Sequence, residues 1–234
     1  MITASMSTIA WREPGLAQAV ASVLPQVDRL NVFLQGYADI PECLRDDRVS
    51  ILRDSDAPES AALGASAKFH WLWHALVADG YHFTVDDDIV YPPGYVRYCV
   101  RKIDEYERKA VVGFHGMIYR SRVRSYFTDR RVWTFAHKCD SDRFVHTLGT
   151  GTASFHTDTL KLTRADFALP NSCDLYLGIA CQRQRVPVLC LARQRGYLKA
   201  LPLAGDQRSA SAPEEYARRM IEIHDTWNPW EIYT

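Results

Sequence analysis

The sequence lacks an excess of charge of either sign. Lys and Arg together number 28, as do Asp and Glu, so the net charge is zero. That removes the bulk attraction on which a general nucleic-acid binder relies, and any anionic ligand must meet a local basic patch. Long apolar runs are missing too: no stretch approaches the roughly eighteen residues that cross a bilayer, and the first residues show neither the charged start nor the apolar stretch of a signal peptide. These absences predict a soluble, cytoplasmic protein, with peripheral contact at the inner face of the membrane left open. The six cysteines (Cys43, Cys99, Cys139, Cys173, Cys181 and Cys190) never fall in CxxC spacing. Buried thiols in a reducing cytosol are expected, rather than a zinc site or a disulfide framework. No HExxH pattern occurs among the eight histidines, so most read as structural.

What is present is enough apolar residue, 47% of 234, to bury the core of one domain. Strands are expected at Ile2–Ile9, Arg29–Leu34, Val49–Leu52 and Tyr81–Val85. Between them lie a helix with Leu16, Val20, Val23 and Leu24 on one face and another over Ala67–Asp79, where Phe69, Leu72, Trp73, Leu76 and Val77 follow helical spacing up to Gly80. Pro92-Pro93-Gly94 opens a further helix, and Asp174–Gln184 reads as helical. Such alternation predicts an open α/β sheet that binds ligands beyond the carboxyl ends of its strands. From Gly205 to Ala212 the composition turns linker-like, and Ser211 with Glu214 has capping-box spacing. A main domain over 1–204 and a linker with a C-terminal helix over 205–234 are therefore expected.

The strand Tyr81–Val85 runs straight into Asp86-Asp87-Asp88. Three adjacent carboxylates repel one another unless a cation or strong donors compensate, and hard oxygen ligands of this kind suit Mg²⁺ or Mn²⁺. A solvated acidic turn explains the triplet alone equally well. Its place at a strand end before Pro-Pro favours a site.

The segment Gly80 to Tyr95, containing Thr84-Val85-Asp86-Asp87-Asp88-Ile89, resembles the DxD region of family 2-like bacterial glycosyltransferases of the kind found in capsule and lipopolysaccharide assembly. Val23–Leu34 and Leu148–Asp158 are similar to their first helix with second strand and to a segment on the acceptor side of their cleft. The resemblance spans about residues 2–200. It implies a GT-A fold, a Rossmann-like open mixed sheet flanked by helices with a C-terminal helical extension. The implied reaction is metal-dependent transfer of a sugar from a nucleoside-diphosphate sugar to a saccharide or glycolipid acceptor. By the same resemblance Asp86 approaches the ribose or the metal, Asp88 ligates a Mn²⁺ or Mg²⁺ ion, and Asp87 touches donor sugar or metal. Lys68 and Arg12 are candidate nucleotide contacts, and Asp54 or Asp56 could accept from the base. Each of these is equally an ordinary loop or helix-end residue.

Asp174, in Asn171-Ser-Cys-Asp174, corresponds to the catalytic base of the family, although the Glu that usually precedes it is absent. The other reading is that it only caps the following helix. As base it implies inversion, and the absence of a Gln-x-x-Arg-Trp motif implies non-processive transfer. The arginine-rich Arg120–Arg131 reads as a lid over the diphosphate, as a grip on an anionic acceptor or as a solvated loop, and His224 is a candidate metal ligand. Two other functions compete. A sugar-phosphate nucleotidyltransferase needs a glycine-rich phosphate loop that Ser5–Arg12 does not supply, and a non-catalytic carbohydrate-binding protein could use Trp227, Trp230 and Tyr233.

Overall fold

The structure, a computed structural model, describes residues 1–120, 123–202, 213–227 and 230–234. In β1 (Ile2–Ile9) the pleat sends Ala4 and Met6 into one apolar layer and the buried Thr3 and Ser5 to the other face. The chain passes through α1 (Glu13–Val23) to β2 (Arg29–Gln35) and β3 (Val49–Arg53), and these strands pair in parallel. After the short helices α2 (Pro58–Ala61) and α3 (His70–Trp73) it returns, and β4 (Tyr81–Asp86) pairs in parallel with the free edge of β1. This reversal makes a topological switch point at the carboxyl ends of β1 and β4, where open α/β sheets bind ligands.

The remaining elements are β5 (Ile89–Val90), α4 (Tyr95–Glu105), β6 (Val111–Gly113), β7 (Gly116–Tyr119), β8 (Arg130–Trp133), β9 (Arg143–Phe144), β10 (Thr147–Leu148), β11 (Ser154–His156), α5 (Cys173–Gln184), β12 (Val188–Cys190), β13 (Lys199–Ala200) and α6 (Pro213–Asp225). The main sheet has the order β3-β2-β1-β4-β11-β6-β12-β9. β11 runs against both β4 and β6, and β9 against β12, so six strands share one direction and the sheet is mixed. One face is covered by α1 and α4, whose Leu16, Val20, Val96 and Ile103 pack with Met6, Val32 and Phe83. On the other face α5 and α6 bring Leu175, Leu177, Met220 and Ile223 against Phe155 and Val188. The C-terminal helix is thus docked on the body, and beyond it Glu231 pairs through its backbone with the Gln182 side chain at 2.7 and 3.1 Å. All six cysteines are free, five of them buried. The expected linker over 205–212, with its cap at Ser211, lies outside the described residues.

One element departs from expectation. Residues 67–79 do not form one helix: a 3-10 helix over Gly64–Phe69 leads into the single turn of α3. The helix closes where Ala75 adopts φ +52° and the Leu76 N–H returns to the Trp71 carbonyl. Leu76, counted in the apolar face, is 62% exposed. The segment instead buries Lys68, Phe69 and Trp71, and this tertiary packing overrides the periodicity.

Candidate active site

Because β1 and β4 are neighbours with Ser7 opposite Asp86, the chain leaving β1 meets the chain leaving β4. Arg12 Nη1 lies 2.9 Å from Asp87 Oδ1 and 3.6 Å from Asp88 Oδ2. The three aspartates are thereby divided. The Asp87 side chain is 1% exposed, whereas those of Asp86 and Asp88 are 33% and 28% exposed. Asp86 has its own cation: the Lys68 ammonium, only 2% exposed, donates to Asp86 Oδ1. Lys68 arrives there because the turn before it is locked to the start of α5. Gly64 adopts φ +58°, and a Cβ on it would come within 2.2 Å of Asn171 Oδ1, the atom that accepts the Ala65 N–H at 2.9 Å.

Burial, then the neighbouring Asp86 and Asp87, push the Asp88 carboxyl up to about 6. Burial also holds Asp87 above the ordinary carboxyl range despite Arg12. Burial alone would lower the Lys68 pKa, but the negative groups around it, Asp86 foremost, hold it above its ordinary value. An added cation would favour the ionised form of Asp88.

Asp86 and Asp88 open onto a cleft of about 370 Å³ that is also lined by His115, Thr150, Gly151 and Asp174. The Gly149-Thr-Gly-Thr152 loop ties its two sides together. Thr150 donates through its N–H at 2.8 Å and its hydroxyl at 2.9 Å to Asp174 Oδ1. The Gly151 carbonyl accepts from Tyr91 Oη at 2.7 Å, and the same hydroxyl accepts the Asp86 N–H at 2.7 Å. A Cβ on Gly151 would stand 2.2 Å from Asp86 Oδ2. Only glycine lets the loop close over that carboxylate. Asp174 is not the cap of α5: the N-cap is Ser172, and Asp174 sits inside the first turn with its side chain committed to Thr150. His115, between β6 and β7, has its pKa lowered by burial, so it presents a neutral imidazole at neutral pH. A larger cavity of about 660 Å³ is lined by Arg108, His156 and Arg185. It lies at the amino end of β4, where His156 pairs with Tyr81, and size therefore does not select the site.

Of the residues singled out in the sequence, Asp86, Asp88 and Asp174 converge on the cleft. Lys68 and Arg12 come to the same place, but as partners of the aspartates, and Asp87 is buried against Arg12 rather than facing the cleft. Asp54 and Asp56 accept local backbone N–H groups, from Gly36 at 2.8 Å and Arg53 at 3.2 Å. In the expected lid, Ser121 and Arg122 lie outside the described residues. Of the rest, Arg130 is stacked 3.9 Å over Tyr126 and Tyr126 packs against Tyr216 of α6, and none of the segment's described residues lines the cleft. His224 is 1% exposed among Tyr119 and Trp230, with Nδ1 3.0 Å from Asp225, and is not part of the cleft lining. The same contacts occupy Trp230, one of the aromatics of the carbohydrate-binding reading. His115, Tyr91, Thr150 and Gly151 were not singled out as site residues. The Gly-Thr-Gly-Thr run lies within the Leu148–Asp158 stretch, but nothing local marks His115 or Tyr91.

No protein-family model matches the chain, and no sequence among curated proteins does. Solved structures do. The chain is similar to glucosyl-3-phosphoglycerate synthase from Mycobacterium tuberculosis in complex with Mg²⁺ and uridine diphosphate, at 12% identity over 97% of this chain and 78% of that one, with a TM-score of 0.54. A mycobacterial protein matches at 14% identity over 97% of this chain and 74% of its own, with a TM-score of 0.59. In the same synthase with Mn²⁺, UDP-glucose and phosphoglyceric acid, the match spans 48% of this chain and only 42% of that one, at 18% identity and a TM-score of 0.38. The two likenesses that span 97% of this chain establish the fold, a GT-A type mixed α/β sheet flanked by helices.

Proposed function

We propose that the protein is a metal-dependent glycosyltransferase that takes a sugar from a nucleoside-diphosphate sugar. The observation that carries this reading is the division of the aspartates. Asp86 and Asp88 face the cleft that Asp174 enters from the opposite element, while Asp87 is withdrawn onto Arg12. The donor set fits Mn²⁺ or Mg²⁺: both carboxylates are hard oxygen ligands, and Asp88, pushed up to about 6 by burial and its neighbours, lacks a full counter-charge. When bound, the ion neutralises the departing nucleoside diphosphate. Lys68 holds Asp86 in place, Arg12 holds Asp87 and Asp88, and the synthase of similar fold was solved with Mg²⁺ and uridine diphosphate. In this reading residues 1–204 carry the chemistry, and α6 with Glu231 braces the α5 face. Calorimetry is expected to show uridine diphosphate binding at least about tenfold more tightly in Mn²⁺ than in EDTA. Equal affinity in both would reject the reading. Release of nucleoside diphosphate from the sugar nucleotide, without pyrophosphate exchange, separates it from a nucleotidyltransferase.

Asp174 serves as the base. Thr150 fixes Oδ1 with two bonds, and among the described residues Oδ2 carries none, leaving that oxygen for the hydroxyl of a saccharide or glycolipid acceptor. Direct attack with the proton passing to Asp174 gives one sugar per encounter and inverts the anomeric centre. Asp174→Asn preserves the Thr150 bonds and should keep the melting temperature within about 2 °C, while kcat falls at least about a hundredfold. Near-normal transfer, or a product of unchanged anomeric configuration by NMR, would remove Asp174 from this role.

A further inference from the structure

A second cluster of ligand atoms lies outside the cleft. Glu59 on α2 and His70 and His74 around α3 each offer one ligand atom, and these atoms all lie within 4.8 Å of one another, the one such group of three among the described residues. The two imidazoles sit one helical turn apart with ring centroids 4.4 Å from each other. His70 is 9% exposed, and its Nδ1 is engaged by the buried Ser60 hydroxyl at 2.8 Å. Nε2 is thus the nitrogen left to bind. Such an outer hydrogen bond, holding a histidine ring in orientation through its second nitrogen, is the support that metal-ligating histidines receive.

We propose that Glu59, His70 and His74 bind a transition-metal cation, Zn²⁺ foremost. Two imidazoles and one carboxylate form a borderline donor set that suits Zn²⁺, Co²⁺ or Ni²⁺, in contrast to the all-oxygen pair Asp86 and Asp88. Ligands at about 2.0–2.1 Å from a tetrahedral ion stand roughly 3.4 Å apart. The exposed Glu59 and His74 side chains must close by no more than about 1.4 Å to reach that spacing around the held His70 ring. Three protein ligands leave a coordination position for water or a small ligand. The ion joins α2 to α3, the elements on either side of the Gly64–Phe69 segment that delivers Lys68 to Asp86. Bound there, it would brace the segment that carries Lys68 to Asp86, and its existence does not depend on the transferase reading.

Titration of the full chain with Co²⁺ in excess Mg²⁺ tests this. The wild type should develop the visible d–d absorption of one equivalent of tetrahedral Co²⁺, which Zn²⁺ then displaces, and Zn²⁺ should raise the melting temperature. His74→Ala and Glu59→Gln change exposed side chains and should match the wild type in metal-free melting temperature. His74→Ala should lose the absorption and the Zn²⁺-induced shift, and Glu59→Gln should weaken both. Ser60→Ala should weaken binding by about 10–100-fold, the usual effect of removing an outer-shell partner. Asp88→Asn should leave the titration unchanged, which separates the site from the acidic cleft. Absence of the absorption in the wild type, or a His74→Ala titration identical to it, would overturn the proposal.

Discussion

Asp86→Asn and Asp88→Asn, two residues apart in one motif, are expected to shift stability in opposite directions. Asp86 is the counter-ion of a Lys68 ammonium that is 2% exposed. Neutralising Asp86 leaves that cation buried against an amide, and loss of one member of a buried pair costs roughly 3 kcal/mol. The melting temperature should fall by about 10 °C. Adding Lys68→Met to Asp86→Asn should recover most of the loss, since replacing both members of a buried pair by neutral groups is close to neutral. Asp88 behaves in the reverse way. Its folded-state carboxyl is raised to about 6 by burial, Asp86 and Asp87, from the ordinary 3.8. The folded protein therefore binds this proton more tightly than the unfolded chain, and stability falls as pH rises between about 4 and 6. At neutral pH Asp88→Asn should gain about 1–2 kcal/mol, discounted for the residue's partial exposure, or about 3–6 °C. The gain should vanish near pH 4, where Asp88 is already protonated. Both variants should lose transfer activity. Thermal melts at pH 7.5 and pH 4 check the signs, and a common sign at pH 7.5 would contradict the division of the motif.

Gly151→Ala should lower transfer by about a hundredfold, as displacement of a positioned group by about 1 Å does, while the protein remains folded at 25 °C. The added Cβ would stand 2.2 Å from Asp86 Oδ2 and 2.6 Å from Cγ, and the carboxylate cannot swing freely because Lys68 holds Oδ1. Either Asp86 leaves Lys68 or the Gly149–Thr152 loop lifts. Lifting the loop strains the Tyr91 bond to the Gly151 carbonyl and the Thr150 bonds to Asp174. Both routes disturb the two sides of the cleft together, so uridine diphosphate with Mn²⁺ should bind more weakly as well. Unchanged kcat and nucleotide affinity would show that the loop is not part of the site.

These two predictions rest on contacts of very different legibility. The acidic triplet could be read directly, because a strand pattern ending in three carboxylates is a local feature of the chain. That Asp87 differs from its neighbours could not, since the difference comes from Arg12, 75 residues away in sequence. The helix expected over 67–79 failed for a related reason. Its apolar periodicity is real, but the buried partners of Lys68, Phe69 and Trp71 are supplied by other elements, and these dictate a 3-10 segment and a single turn. Asp174 was legible as a residue at the start of a helix. Its position inside the first turn rather than at the cap, and its grip by Thr150 24 residues earlier, were not.

The sequence by itself determined the strands of the first half, the helices after Arg12 and Pro93, the open α/β class and the place of the aspartates at a strand end. All of these follow from periodicity, turn residues and the repulsion of neighbouring like charges, which act over a few residues. Only the tertiary structure decided which carboxylates face the cleft, that Lys68 and Arg12 serve as their counter-ions, and that His115 and Gly151 line the cleft with Tyr91 holding the Gly151 carbonyl. Those assignments depend on which strand lies beside β1 and which loop closes over β4. Strand order is settled by the burial of both sheet faces at once, a property of the whole chain that no local window contains.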